Sequence, residues 1–219
     1  MLALLIGCMA PAWAAPTWNN TGYSTCVSST TCTATAGAVS AGDTLVFSAK
    51  IASATSTFVF ATCTYNGVVQ TLDYNSGLIT VTNWFQLVIG AVAYDGTHTT
   101  VTCTVAPSAD SIQIAISDVT GASSHTGHGA SCSTSGCTAS IAHSSLTSGN
   151  LAVGYFAGTC GTGWTLGGAN ACYGTDTSAN TFTYTFGAGY GSGVAFEDLS
   201  ASAGGGGWTF GSPYPAWAQ

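Results

Sequence analysis

Charge is nearly absent from this chain. Only 4% of its 219 residues are charged, and Lys50 is the sole basic side chain against eight acids. Nucleic-acid binding draws on Lys and Arg to neutralise phosphates and release counterions, so a nucleic-acid partner is excluded. Anionic membrane surfaces are disfavoured for the same reason. Long apolar runs are missing as well. The mean hydropathy is +0.37, yet no internal stretch approaches the roughly 20 uninterrupted apolar residues of a spanning helix. No transmembrane span is expected. Helical periodicity is scarce, and the G-x-S-x-G elbow of serine hydrolases does not occur; Gly189-Tyr190-Gly191-Ser192-Gly193 has the wrong order. Glu197 and Asp198 are adjacent, so on a strand they face opposite sides, unlike the paired carboxylates of a glycosidase. Asp73, Asp95 and Asp118 sit in or beside turns, where an aspartate caps its own backbone. No cofactor is expected. The partners that remain are neutral: a polysaccharide, another surface protein or a second copy of the chain.

The N-terminus reads as an export signal over residues 1–14. Met1 to Met9 is apolar, and Ala12-Trp13-Ala14 supplies the small-x-small pattern of a cleavage site. Leu5-Ile6-Gly7-Cys8 also fits a lipoprotein signal with Cys8 acylated. The other eight cysteines are Cys26, Cys32, Cys63, Cys103, Cys132, Cys137, Cys160 and Cys172. An even number in an exported chain implies a disulfide framework, with about a hundred formal connectivities. Local spacing suggests Cys26–Cys32, Cys132–Cys137 and Cys160–Cys172 as loop clips, which leaves Cys63–Cys103. Alternation supports that last pair: Cys63 shares a strand face with Val59, Ala61 and Tyr65, and Cys103 lies between Val101 and Val105.

Strand periodicity recurs throughout. Thr181 to Phe186 alternates threonine with aromatics, Ser111 to Ile116 alternates polar residues with isoleucine, and Thr100 to Val105 alternates threonine with Val101, Cys103 and Val105. Leu45–Ile51, Phe58–Tyr65, Leu87–Tyr94 and Leu151–Phe156 read the same way. Asn66-Gly67 and Asp95-Gly96 are dipeptides favoured in tight hairpins, and Asn75-Ser76-Gly77 and Ser148-Gly149-Asn150 mark further turns. Ten to twelve short strands without helices predict an all-β, antiparallel two-layer β-sandwich, jelly-roll-like and disulfide-stapled. Residues 15–219 form one such domain. Gly121 to Gly136 is the longest irregular stretch. Lys50 falls opposite Leu45, Phe47, Ala49 and Ile51, and is expected to face solvent.

Gly42-Asp43-Thr44-Leu45-Val46, Ser117-Asp118-Val119-Thr120-Gly121, Gly149 to Tyr155 and Trp217-Ala218-Gln219 together resemble a bacterial module. That module recurs in secreted and cell-surface proteins as a β-sandwich of mostly unassigned function. The resemblance spans roughly residues 40 to 219. It implies an extracellular context, and a closing strand that continues past Gln219. It carries over no catalytic residues.

Two groups of side chains are candidates for chemistry. His125-Thr-Gly-His128-Gly-Ala-Ser-Cys132, followed by Cys137 and His143, has spacing at which imidazole and thiolate hold zinc or copper. A Cys132–Cys137 disulfide withdraws both thiolates, leaving a histidine-only copper site of His125 and His128 with His98 or His143. The bland alternative is a glycine-rich loop with solvated histidines. In the C-terminal third, Trp164, Tyr173, Tyr190, Trp208, Tyr214 and Trp217 are able to stack on sugar rings if exposed; in the core they would only pack. Trp208 and Tyr214, flanked by Gly and Pro, are the best placed for ligand binding, with Trp164 and Tyr190 beside them. The leading expectation is a non-catalytic extracellular adhesion-type module capable of self-association. A carbohydrate-binding module and a copper or zinc enzyme centred on His125 and His128 are the alternatives.

Overall fold

The computed structural model describes residues 15–55, 57–134, 138–143, 151–155, 165–166, 171–175, 180–185 and 192–200. In chain order the strands are β1 (Thr17–Thr35), β2 (Thr44–Ser53), β3 (Val59–Tyr65), β4 (Val68–Val69), β5 (Tyr74–Asn75), β6 (Ile79–Thr80), β7 (Trp84–Ala93) and β8 (Thr100–Thr120). They continue as β9 (Ser124–Cys132), β10 (Thr138–His143), β11 (Leu151–Tyr155), β12 (Thr165–Leu166), β13 (Ala171–Thr175), β14 (Asn180–Thr185) and β15 (Ser192–Ser200). Every pairing is antiparallel. Among the described residues there is no helix, and none therefore that is long and apolar enough to cross a membrane.

The 21-residue β8 organises the larger sheet. β1 lies along it from Thr17↔Thr120 to Thr35↔Thr100, with a register slip between Ser29 and Thr31. The other side of β8 is divided. β2 pairs with its second half, Thr44↔Val119 to Ala52↔Ser111, and β3 with its first, Val59↔Ala106 to Tyr65↔Val101. β7 then adds to β2. Alternation sends Leu45, Phe47, Ala49 and Ile51 of β2 to one face, where they meet Ile112, Ile114 and Ile116 of β8, Cys32 and Ala34 of β1, and Cys63 and Tyr65 of β3. One sheet thus curls around its own core. Gly90 stands directly opposite Phe47, and a Cβ there would come within 2.8 Å of the Phe47 ring.

The opposite face of the same sheet is covered too. Phe85, Leu87, Ile89 and Ala91 of β7, with Val46, Ala115 and Val119, pack against Leu151 and Val153 of β11 and Leu199 of β15. These last two strands belong to a five-stranded sheet of order β12-β13-β11-β15-β9, while β10 and β14 pair separately. The all-β antiparallel class and the disulfides agree with the sequence pattern, and the curl with its two separate cores goes beyond it. Cys26–Cys32 and Cys63–Cys103 are both formed.

Several local expectations are corrected. Because β2 is covered on both faces, Lys50 is half-buried instead of solvent-facing, and burial lowers its ammonium to about 8. Val59 does not share the buried face of Cys63; a register slip between Phe60 and Thr62 turns it outward, 66% exposed, and Phe58 is buried instead. Asn66-Gly67 does make the tight β3–β4 turn, with both residues at positive φ. Asp95-Gly96 makes no hairpin, because β7 and β8 each pair with β2 and not with one another. Asp95 does cap its own turn, accepting from the amides of Thr97 and His98. Asp118 does not; it lies within β8, 1% exposed, accepting from Asn19 at 2.8 Å. Cys26–Cys32 clips a strand at its register slip, not a loop. The stretch Gly121 to Gly136 is not irregular throughout; it contains β9.

Candidate functional site

Three charged side chains distant in sequence meet where β5, β9 and β15 come together. Asp73 stands immediately before β5. Its amide donates to the Ile89 carbonyl at 3.0 Å, and its Oδ2 accepts from the Ala91 amide at 3.2 Å. It is thereby fixed to β7 instead of capping its own turn. Strand alternation in β9 puts His125, Gly127 and Gly129 on one face, and Gly127 lies directly opposite Glu197 of β15. His125 Nδ1 is 3.1 Å from Asp73 Oδ2 and 3.7 Å from Glu197 Oε2.

Glu197 shares its face with Leu199 and is fully buried. Among the described residues neither of its carboxylate oxygens accepts a hydrogen bond. Burial pushes its carboxyl up to about 8, against the pull of His125. The Asp73 carboxylate, and after it Glu197, raises His125 to about 10. At neutral pH the imidazole is a cation held chiefly by the Asp73 carboxylate. The ligand-type atoms of the three residues all lie within 4.8 Å of one another, which is also the arrangement of a small metal centre.

The glycines of β9 make this approach possible. A Cβ at Gly127 would collide with the Cβ of Asp73 and sit 2.9 Å from Glu197 Oε1; one at Gly129 would collide with the Tyr74 ring. Gly127→Ala is expected to lower the unfolding free energy by about 1–3 kcal/mol, because the obstruction includes Asp73 backbone. Urea titration of the variant measures this. A loss below about 0.5 kcal/mol, the usual size of a neutral surface change, would mean that Asp73 withdraws freely and the packing described is not rigid.

A second feature lies on the outward side of β1, β8 and β3. Thr31-Cys32-Thr33, Thr102-Cys103-Thr104 and Thr62-Cys63-Thr64 run side by side in register. Thr31, Thr104 and Thr62 form one cross-strand row, and Thr33, Thr102 and Thr64 the next. The three cysteines between them are buried beneath. Strand geometry sets these threonines on a grid of roughly 4.8 by 6.7 Å. Five of the six hydroxyls are hydrogen-bonded: Thr33 and Thr102 share a bond at 2.8 Å, Thr62 donates to the Cys63 carbonyl at 3.2 Å, Thr64 to that of Thr102 at 3.4 Å, and Thr104 to that of Thr62 at 3.5 Å. Thr31 and Thr33 are exposed and the other four half-buried. No charged residue occurs in β1, in β3 or in β8 before Asp110.

The sequence-predicted histidine pair is not brought together. His125 and His128 are three residues apart on an unbroken strand and so point to opposite faces of β9. Burial depresses His128. His98 binds Asp95 in the turn before β8, at 2.7 Å. The backbone of His143 lies in β10, opposite Asn180. Cys132 is disulfide-bonded. Cys172 and Tyr173 are in β13, whereas Cys137, Cys160, Trp164, Tyr190, Trp208, Tyr214 and Trp217 lie outside the described residues. Asp73 and Glu197 were passed over as sites, although the run Ala195-Phe-Glu-Asp-Leu199 puts Glu197 on the face of Ala195 and Leu199 by alternation alone. The threefold Thr-Cys-Thr was equally visible, but nothing in the sequence says that the three copies adjoin.

No protein-family model matches the chain, and neither a curated protein nor a solved structure matches it significantly.

Proposed function

We propose that this chain is a non-catalytic extracellular contact module, and that its working surface is the threonine face of β1, β3 and β8. The single observation behind this reading is the two-row grid of Thr31, Thr104, Thr62 and Thr33, Thr102, Thr64 above a buried cysteine row. A surface with no charge, regular spacing and fixed rotamers loses little side-chain entropy on contact. It suits a partner that is itself neutral and periodic, with hydroxyl or water oxygens repeating at similar spacing. Crystalline polysaccharide and ice both offer that chemistry. The two disulfides fit an oxidising compartment.

The test is depletion of the chain from solution by cellulose, chitin and xylan, with partition into slowly growing ice as a parallel arm. Each is repeated with Thr31→Lys/Thr33→Lys, a double change at exposed positions. Depletion by one of these phases, weakened about tenfold or more in the lysine variant, is the expected result. Which phase depletes the protein distinguishes polysaccharide from ice. Retention in solution with all four overturns the reading. Loss of binding in Trp208→Ala or Tyr214→Ala but not in the threonine variant would transfer the contact to the C-terminal aromatics.

A further inference from the structure

We infer that Asp73, His125 and Glu197 form a zinc site that ties β5 to the β9–β15 pair, independent of the threonine face. The argument begins with Glu197. A buried carboxyl group opposite Val153 and on the face of Leu199, with neither oxygen accepting a hydrogen bond, is costly unless something else occupies its lone pairs. An apolar residue there would pack with its neighbours at no such cost. Gly127 opposite it admits Asp73 against β9, so a second carboxylate stands beside the first, across His125. Both of these point to a small cation.

Geometry then selects the ion. Zinc takes imidazole nitrogen and carboxylate oxygen at about 2.0–2.2 Å, so tetrahedral ligand atoms stand about 3.4 Å apart. The separations from His125 Nδ1, 3.1 Å to Asp73 and 3.7 Å to Glu197, fall on either side of that value. The largest separation within the group, at most 4.8 Å, closes by small side-chain rotations. Two carboxylates and one neutral imidazole balance a divalent charge. Calcium and magnesium want about six or more oxygens and gain little from a nitrogen. Soft Cu(I) wants sulfur, and Cys132 is already in a disulfide. The side chains of Asp73 and His125 remain 22% and 33% exposed, which leaves the fourth position open to water and gives the ion a way in.

The ligands come from three segments far apart in the chain, so the ion acts as a cross-link between the element beside β7 and the second sheet.

The test uses the full chain, stripped with EDTA and dialysed, and titrated with ZnCl2 by calorimetry and by thermal unfolding. One zinc per chain is expected, with a thermal midpoint that rises as free zinc rises and is not reversed by excess Ca2+ or Mg2+. Glu197→Gln keeps the shape of the side chain. In EDTA it should unfold at or above the wild-type midpoint, while its zinc affinity falls by about 100-fold or more. Asp73→Asn should lose zinc affinity similarly, which keeps the test decisive if either variant folds poorly. His98→Ala should bind as wild type. Zinc affinity weaker than about 1 mM overturns the site. So does unchanged affinity in both Glu197→Gln and Asp73→Asn, or displacement of zinc by calcium.

Discussion

Replacing Cys63 and Cys103 together by alanine is expected to cost about 4 kcal/mol of stability. The bridge closes a 40-residue separation, and loop-closure entropy alone predicts a loss of that size. In a domain of this size that corresponds to a fall in thermal midpoint of roughly 10 °C. The bridge also sits at the middle of the Thr-Cys-Thr array, where Cys63 and Cys103 are direct cross-strand neighbours. A slip of one residue between β3 and β8 would turn the threonines inward and the cysteines outward. The double variant should therefore lose binding at the threonine face as well as stability. Unfolding by guanidinium, compared with wild type, measures the first effect. A loss below about 1 kcal/mol would place the stabilisation in the curled core and not in the cross-link. The comparison matters because the chain has so little charge to stabilise it by ion pairs.

In EDTA, stability is expected to be highest near pH 4 to 5 and to fall as the pH rises towards 8. Asp118 is one contributor. Burial, then the neighbouring Asp43, raises its carboxyl from 3.8 to about 6, against the hydrogen bond from Asn19. The folded state thus holds a proton that the unfolded state has released. Its stabilisation is complete below pH 3.8 and is lost as the pH rises through 6. Glu197 acts with the same sign over pH 4.5 to 8, since burial raises it to about 8. Asp95 and Asp110 act with the opposite sign. Asp95 is held low first by the His98 amide and Asp110 first by the Thr55 hydroxyl, so their contributions fade as the pH falls below the usual carboxylate value. The outcome is a maximum displaced to acid pH. Asp118→Asn should flatten the decline between pH 4 and 6 and leave the decline above it. Parallel curves for the two proteins, or wild-type stability that climbs from pH 4 to 7, would contradict the assignment.

Much of the fold was legible from alternation. β2, β7 and the two halves of β8 follow the runs Leu45–Ile51, Leu87–Tyr94, Thr100–Val105 and Ser111–Ile116, and the Cys63–Cys103 bridge follows from the two buried faces it joins. β9 was not legible. Ser-His-Thr-Gly-His-Gly-Ala-Ser-Cys has the composition of a loop and few residues that favour strands. It is extended because β15 pairs with it from Ser124↔Ser200 to Cys132↔Ser192, and because only glycine admits Asp73 and Tyr74 against its face. The error at His125 and His128 has the same origin. Once the segment is a strand, residues three apart diverge, and the partners of His125 come from elsewhere.

The amino-acid sequence by itself determined the class of this protein. A side-chain period of two, with turns at Asn66-Gly67, Asn75-Ser76-Gly77 and Asp95-Gly96, is a local property that any extended segment carries with it, whatever it later pairs with. The near-absence of charge is an equally local property. Tertiary structure decided everything that depends on which strands adjoin. It set three Thr-Cys-Thr segments side by side, half-buried Lys50 by covering both faces of β2, and brought Asp73, His125 and Glu197 within reach of one another. Those meetings join residues roughly 40 to 125 positions apart, and no short window of sequence contains both members of such a pair.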